Sequence, residues 1–119
     1  MNRKSAAALA LSLGMLVLLS ACIYIANIRP VASFIANPTS GPTPLTVAFD
    51  ASASSDADGT IALYIWDFGD GQTASLTAGT TNHTFTTIQT ETRVFTVILR
   101  VVDDLDASDT TVQNITLNP

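Results

Sequence analysis

The sequence predicts an all-β sandwich of about seven short strands behind an N-terminal targeting segment. Three observations carry this. After Ala21 the apolar residues recur with period two, and nowhere with the helical period of 3.6. The alternating runs are short and are separated by clusters rich in Gly, Pro, Asn, Asp, Ser and Thr. Cys22 is the only cysteine, so no intrachain disulfide can form and packing alone must hold the sandwich. A chain of 119 residues has room for one domain with a modest core.

Met1-Asn2-Arg3-Lys4 is a basic start, and Ser5 to Ala21 then runs without a charge. These are the n-region and h-region of an export signal. The run ends in Leu19-Ser20-Ala21-Cys22, which resembles the bacterial lipobox, where small residues precede a cysteine that is lipidated and becomes the new N-terminus. On this reading residues 1–21 are a lipoprotein signal peptide, 22–29 a lipidated N-terminus and linker, and 30–119 the domain. Acyl chains on Cys22 would anchor the protein, each buried methylene adding ~0.8 kcal/mol. Ile23, rather than Asp, follows the cysteine, which by resemblance to enterobacterial sorting permits delivery to the outer membrane. A second reading stays open. Ile23-Tyr24-Ile25-Ala26 continues the apolar run, so Ser5 to Ile28 meets the roughly 20 residues that a single-pass membrane helix needs, with Arg3 and Lys4 left inside. Both readings put the remainder in the cell envelope outside the cytoplasm.

The strands follow in order. Ser33-Phe34-Ile35-Ala36 is the first, and residues 37–44, dense in Pro and Gly, form a loop. Leu45, Val47 and Phe49 share one face of a half-buried strand. Residues 50–60 are a polar loop ending in Asp58-Gly59. Ile61 to Phe68 is a strand with Tyr64, Trp66 and Phe68 on one face, closed by Gly69-Asp70-Gly71 as a tight turn. Residues 72–85 hold one or two short strands. Arg93 to Asp103 presents Phe95, Val97, Leu99 and Val101 on one face and Ile98 and Val102 on the other, the pattern of a central strand. Thr110 to Leu117 is the last strand. Val112 there falls opposite Ile115 and Leu117, which predicts a bulge.

The segment Tyr64-Ile65-Trp66-Asp67-Phe68-Gly69-Asp70-Gly71 resembles the YxWDFGDG motif of PKD (polycystic kidney disease) domains. The resemblance extends upstream through Phe49-Asp50-Ala51-Ser52, Ser54 to Gly59 and Ile61, and downstream through His83-Thr84-Phe85 and Phe95 to Asp103. The chain departs from the family at Thr80-Thr81-Asn82, where a Pro is frequent, near Arg93, where a Gly is expected, and at Asp106, which stands for a turn Gly. The resemblance implies an immunoglobulin-like β-sandwich. It also implies a calcium site at positions matching Asp56, Asp58, Asp103, Asn27 and the carbonyl of Ile28. The competing reading of these aspartates is turn capping through local hydrogen bonds. Tyr64, Trp66, Asp67, Phe68, Gly69, Asp70 and Gly71 read as structural, with Trp66 in the core, and His83 reads as a structural hydrogen-bonding residue.

Charge narrows the function classes. The formal net charge is −5, and beyond the first four residues only Arg29, Arg93 and Arg100 face ten acids. An acidic domain without a basic patch argues against nucleic acid, whose affinity comes mainly from phosphate contacts. Asp56 and Asp58 as a glycosidase pair would need a cleft and a spacing of roughly 5–9 Å across a sugar, and no Ser- or Cys-nucleophile motif accompanies His83. The sequence therefore predicts no enzyme. It leaves a binding or spacer module for a protein or carbohydrate partner, a purely structural envelope protein, and an accessory subunit of an extracellular hydrolase. Replacing Cys22 by Ser separates the two anchors. If the lipobox is used, Cys22→Ser abolishes acylation and releases or strands the precursor, as read by mass spectrometry. If the wild type carries no lipid and keeps residues 1–21, the membrane-helix reading holds instead.

Overall fold

The computed structural model describes residues 25–119. The expected signal or anchor helix, the lipobox and Cys22 lie outside the described residues. Eight strands follow one another: β1 (Ile35–Asn37), β2 (Ser40–Pro42), β3 (Leu45–Asp50), β4 (Ile61–Asp67), β5 (Thr73–Leu76), β6 (Thr80–Phe85), β7 (Arg93–Asp103) and β8 (Ser108–Asn118). They form a three-stranded sheet in the order β1-β3-β6 and a five-stranded sheet in the order β2-β8-β7-β4-β5. No helix occurs among the described residues. The fold is the expected all-β sandwich, with one strand more than the alternation predicts.

The extra strand is β2. Ser40-Gly41-Pro42 has no side-chain alternation, and its backbone is ordered by parallel pairing with β8, Ser40 opposite Thr116 and Pro42 opposite Asn118. The chain thus crosses from the small sheet at β1 to the edge of the large sheet at β2 within a few residues. The predicted loop over 37–44 is corrected accordingly.

β7 occupies the expected bounds and lies between β4 and β8. That position explains its two apolar faces. Phe95, Val97, Leu99 and Val101 point into the sandwich and are buried, while Ile98 and Val102 are covered from the outside by cross-strand neighbours. The bulge expected in the last strand is not there. β7 and β8 pair in continuous register from Arg93↔Leu117 to Val102↔Ser108. Val112 simply faces solvent beside Ile98, and Ile115 and Leu117 face inward. The irregularity sits instead between β4 and β7, where register shifts between Ile61 and Leu63.

Both sheets contribute to one core. Leu45, Val47 and Phe49 of β3 and Phe85 of β6 meet Trp66, Phe95, Val97, Leu99, Ile115 and Leu117 of the large sheet. Trp66 is fully buried at its centre. Phe34 approaches it edge-on at 5.1 Å between centroids, and Phe49 lies tilted at 5.3 Å. Such aromatic pairs add to the free energy of area burial alone. The indole Nε1 has no hydrogen-bond partner, so Trp66 contributes through packing only. Emptying this position costs about 3–5 kcal/mol, the usual range for a core aromatic, and a small domain holds little more than that in total. Urea unfolding of Trp66→Ala should show this loss. A loss under about 1 kcal/mol, typical of exposed positions, would mean that the core does not depend on the indole.

Candidate functional site

The segment before β1, the loop after β3 and the β7–β8 turn meet at one end of the sandwich. The chain reaches β1 stitched to that loop. Val31 and Ser55 exchange backbone hydrogen bonds of 2.7 and 3.0 Å, and Ser33 N–H donates to Ser54 Oγ at 2.9 Å. From β8, Asp109 accepts the Ala32 N–H at 2.8 Å. Val31 to Ser33 are thus stitched into the domain ahead of β1, and Pro30 is fully buried.

Asp103 is the hub of this end. It is the one buried charged residue among those described, with 1 % exposure. Its Oδ2 accepts from Asn27 Nδ2 at 2.8 Å. Its Oδ1 accepts from the Leu105 and Ala107 N–H groups at 2.9 and 2.8 Å. Burial pushes the Asp103 carboxyl up, but these hydrogen bonds outweigh burial and hold it below the usual carboxylate range. The turn they brace passes through Asp106 with φ of 67°, the left-handed conformation for which the family resemblance expects glycine. Asp58 receives the Ile28 N–H on Oδ2 at 2.8 Å. It is thus the amide of Ile28 that is seen engaged here, whereas the resemblance implies a role for its carbonyl.

Asp56 differs from its neighbours. Both carboxylate oxygens are buried and neither has a hydrogen-bond partner. Burial first, then the Asp58 carboxylate and lastly the charge of Asp103 push its carboxyl above the ordinary range against the opposing pull of the nearby Asp58 amide. The space in front of it is kept by Gly59, where a Cβ would stand 2.9 Å from Asp56 Oδ2 and 2.5 Å from Asp104 Oδ1. Asp104 also accepts the Thr60 N–H at 3.3 Å. Asp104 and Gly59 escape sequence reasoning, although the tandem Asp103-Asp104 and the Asp58-Gly59 pair are the signals that could have found them.

Among the described residues, no three acidic, histidine or cysteine side chains close into a cage for a metal ion. Two of the carboxylates are occupied by donors of the incoming segment. The orphaned Asp56 oxygens and the side-chain-free space at Gly59 nevertheless fit a hard cation. Ca²⁺ takes roughly six to eight oxygens and draws many from carbonyls, amides and water.

A second cluster lies in the predicted motif. Asp67 Oδ1 accepts the Gly69 N–H at 2.9 Å, and Asp70 Oδ1 accepts the Gln72 N–H at 3.0 Å. Gly69 has φ of 77°, and a side chain there would strike the Thr96 carbonyl oxygen. Asp70 Oδ2 then reaches across to His83 Nε2 of β6 at 2.6 Å. The imidazole stacks on Phe68 at 3.9 Å and meets Phe85 edge-on. This joins the β4–β5 turn of one sheet to the edge strand of the other. Tyr64 is half-buried beside Gly79. His83 contacts no hydroxyl or thiol in this cluster, so the arrangement clamps the sheets together and offers no nucleophile–base pair.

The raised carboxyl of Asp56 has a consequence for stability. A carboxyl raised on folding favours the folded state below its unfolded pKa, and that advantage is lost as pH rises through the folded value. At neutral pH without a cation, charged Asp56 therefore works against folding. In chelator at pH 7, Asp56→Asn should raise Tm by a few degrees. The gain should shrink as pH falls through the carboxylate range, where the wild-type Asp56 takes up its proton. A variant that melts lower at pH 7 would mean that repulsion at Asp56 is not what this end bears.

Comparison with known proteins agrees with this fold. The family model of the PKD domain matches residues 27–117. A pre-pro-metalloprotease, PrtV of Vibrio cholerae serotype O1, is 39% identical over 89 residues, which cover 75% of this chain and 8% of that protein. The chain thus spans a small part of the curated relative it matches. The crystal structure of the PKD1 domain of V. cholerae PrtV superposes with a TM-score of 0.63 and 35% identity, covering 77% of this chain and 100% of that one. The PKD1 domain of Vibrio anguillarum Epp gives 0.63 and 31%, covering 78% and 98%. A structure described among carbohydrate-binding modules of the β-sandwich superfamily gives 0.72 and 35%, covering 79% of this chain and 36% of that one. The matched span begins at Asn27, the first residue tied to Asp103, and ends at Leu117 in the core, and this chain belongs to the PKD domain family.

Proposed function

We propose that the chain is a non-catalytic spacer and binding module, held outside the cytoplasm by its N-terminal segment and stiffened where that segment joins the domain. Membership of a family of accessory modules supports the non-catalytic part. The observation that carries the rest is the Asp103 carboxylate, which joins Asn27 of the incoming segment to the β7–β8 turn. A domain latched in this way keeps a set posture with respect to whatever its N-terminal segment is fixed to. Lipidation at Cys22 would supply a membrane anchor, and a single-pass helix would serve the same end.

Ca²⁺ is the cation this end would take. Asp56, Asp58, Asp103 and Asn27, with the carbonyl of Ile28, are the residues that would hold it. Its charge would offset the repulsion that raises the Asp56 carboxyl and would tighten the latch.

For the binding role, the aromatic residues favour a protein partner over a stacked sugar. Every phenylalanine and the tryptophan are buried and Tyr64 is half-buried, so none of them offers an exposed ring. The likeness to a carbohydrate-binding module keeps a polar sugar contact as the second reading. The outer face of the small sheet would serve it, where Thr46 and Thr84 share a 2.8 Å hydrogen bond beside Asn82.

Thermal melting tests the latch. A ligand that binds only the folded state at a hundredfold over its Kd stabilises by about 2.7 kcal/mol, which for a domain of this size is roughly 10–20 °C in Tm. Millimolar Ca²⁺ should produce a rise of this order, Na⁺ at equal ionic strength should not, and Asp56→Ala and Asp58→Ala should lose it. A Tm that neither Ca²⁺ nor chelator moves would return these aspartates to turn capping and leave a metal-free spacer.

A further inference from the structure

We infer that the end of the sandwich bearing Asp103 is itself a lipid-contacting surface, with Leu105 at the tip of the β7–β8 turn entering the interface of the bilayer that holds the N-terminal segment. This rests on the anchored reading above.

Exposed apolar side chains scattered singly are ordinary on soluble domains, so Leu105 alone would carry nothing. Its surroundings change that. Leu105 is 66% exposed in a turn between Asp104 and Asp106, at positions where polar residues and glycine prevail. Its N–H is bound to one oxygen of Asp103, whose other oxygen binds Asn27. The turn tip and the incoming chain are therefore pinned side by side. On that chain, Ile28 is 55% and Ile25 87% exposed. The same chain leads directly into the uncharged run Ser5 to Ala21. Only residues 22–26 separate that run from Asn27, at most roughly 20 Å of extended chain, so a membrane that takes up the run lies within reach of Leu105 and Ile28.

The opposite end supplies the contrast. Ile88, in the β6–β7 loop, is fully exposed, but it precedes Arg93 at the far end of β7. The eleven residues of β7 separate the two ends by roughly 30 Å at the usual strand rise. Depth of insertion at a bilayer interface is about 5–10 Å, so only one end can touch.

Charge sets a condition. Asp58, Asp104 and Asp106 are exposed around this end, and Arg29 of the incoming chain offsets only part of their charge, so anionic headgroups repel them within a Debye length of about 8–10 Å. Ca²⁺ between these carboxylates and the headgroups removes that barrier. On an anionic membrane the contact is therefore calcium-dependent.

The test uses the full chain reconstituted in phosphatidylcholine–phosphatidylglycerol vesicles whose acyl chains carry bromine as a fluorescence quencher. Trp66 is shielded in the core and supplies a constant background. Tryptophan is added by Leu105→Trp or by Ile88→Trp, both at exposed positions. With millimolar Ca²⁺, the added emission of Leu105→Trp should be quenched severalfold more than that of Ile88→Trp, and chelator should bring the two together. Equal quenching in Ca²⁺, or none, in protein that floats with the vesicles overturns the lipid contact and leaves the anchor standing. Protein that does not float overturns both. Strong quenching of Leu105→Trp that persists in chelator keeps the lipid contact and removes calcium from it, independently of the melting result.

Discussion

The aromatic packing between the two sheets is the interaction on which everything else depends. Phe34, Phe49, Trp66, Phe68 and Phe85 touch one another in a continuous chain of rings, and Phe95 extends it from Phe85. The chain has no disulfide to fall back on. Among the described residues this core takes up every phenylalanine and the tryptophan and leaves Tyr64 half-buried, so the surface is mainly polar and charged with a few aliphatics. The same allocation that stabilises the fold thus decides what kinds of ligand the surface can meet. Stacking chemistry is spent inside, and what remains outside is hydrogen bonding, charge and small apolar contact.

Charge is handled in two contrasting ways. Asp103 is buried with three donors on its carboxylate, so its charge is met by hydrogen bonds and organises the backbone around it. Asp56, near enough to feel the charge of Asp103, has buried oxygens with no hydrogen-bond partner. A fully satisfied carboxylate next to an unsatisfied one is a division between architecture and responsiveness. The first is insensitive to conditions near neutrality, whereas the second answers to protons and cations. The Asp70–His83 pair at the β4–β5 turn is architectural in a different sense, since it joins the sheets through groups packed against Phe68 and Phe85.

Much of the fold was legible in the sequence where alternation is strong. β3, β4 and β7 carry large apolar residues at every second position, and their bounds match or nearly match the reading. β2 was not legible, because Ser40-Gly41-Pro42 owes its strand conformation to hydrogen bonds with β8 and to no property of its side chains. The parity of Val112 points to a bulge only if its side chain belongs to the core, whereas an exposed valine beside Ile98 is an ordinary cross-strand pair on an outer face. At the candidate site, Asp56, Asp58, Asp103 and Asn27 were reached through family resemblance and not through spacing, since they come from three separate stretches of chain. Asp104 and Gly59 were missed for the same reason. Their roles arise only when the β7–β8 turn is folded against the loop after β3.

The pairing of β8 has a mechanical consequence. The chain enters the sandwich beside Asp103, and β8 leaves it beside Arg93 at the other end, flanked by antiparallel β7 on one side and parallel β2 on the other. A pull between Asn27 and Asn118 therefore runs along the strand axes. To yield, β8 would have to slide past both neighbours, loading its ladder of hydrogen bonds together instead of opening them one after another. At the entering end, β1 is tied in the same sense to β3. A module built this way transmits tension along its length with little extension until the ladders fail as a group.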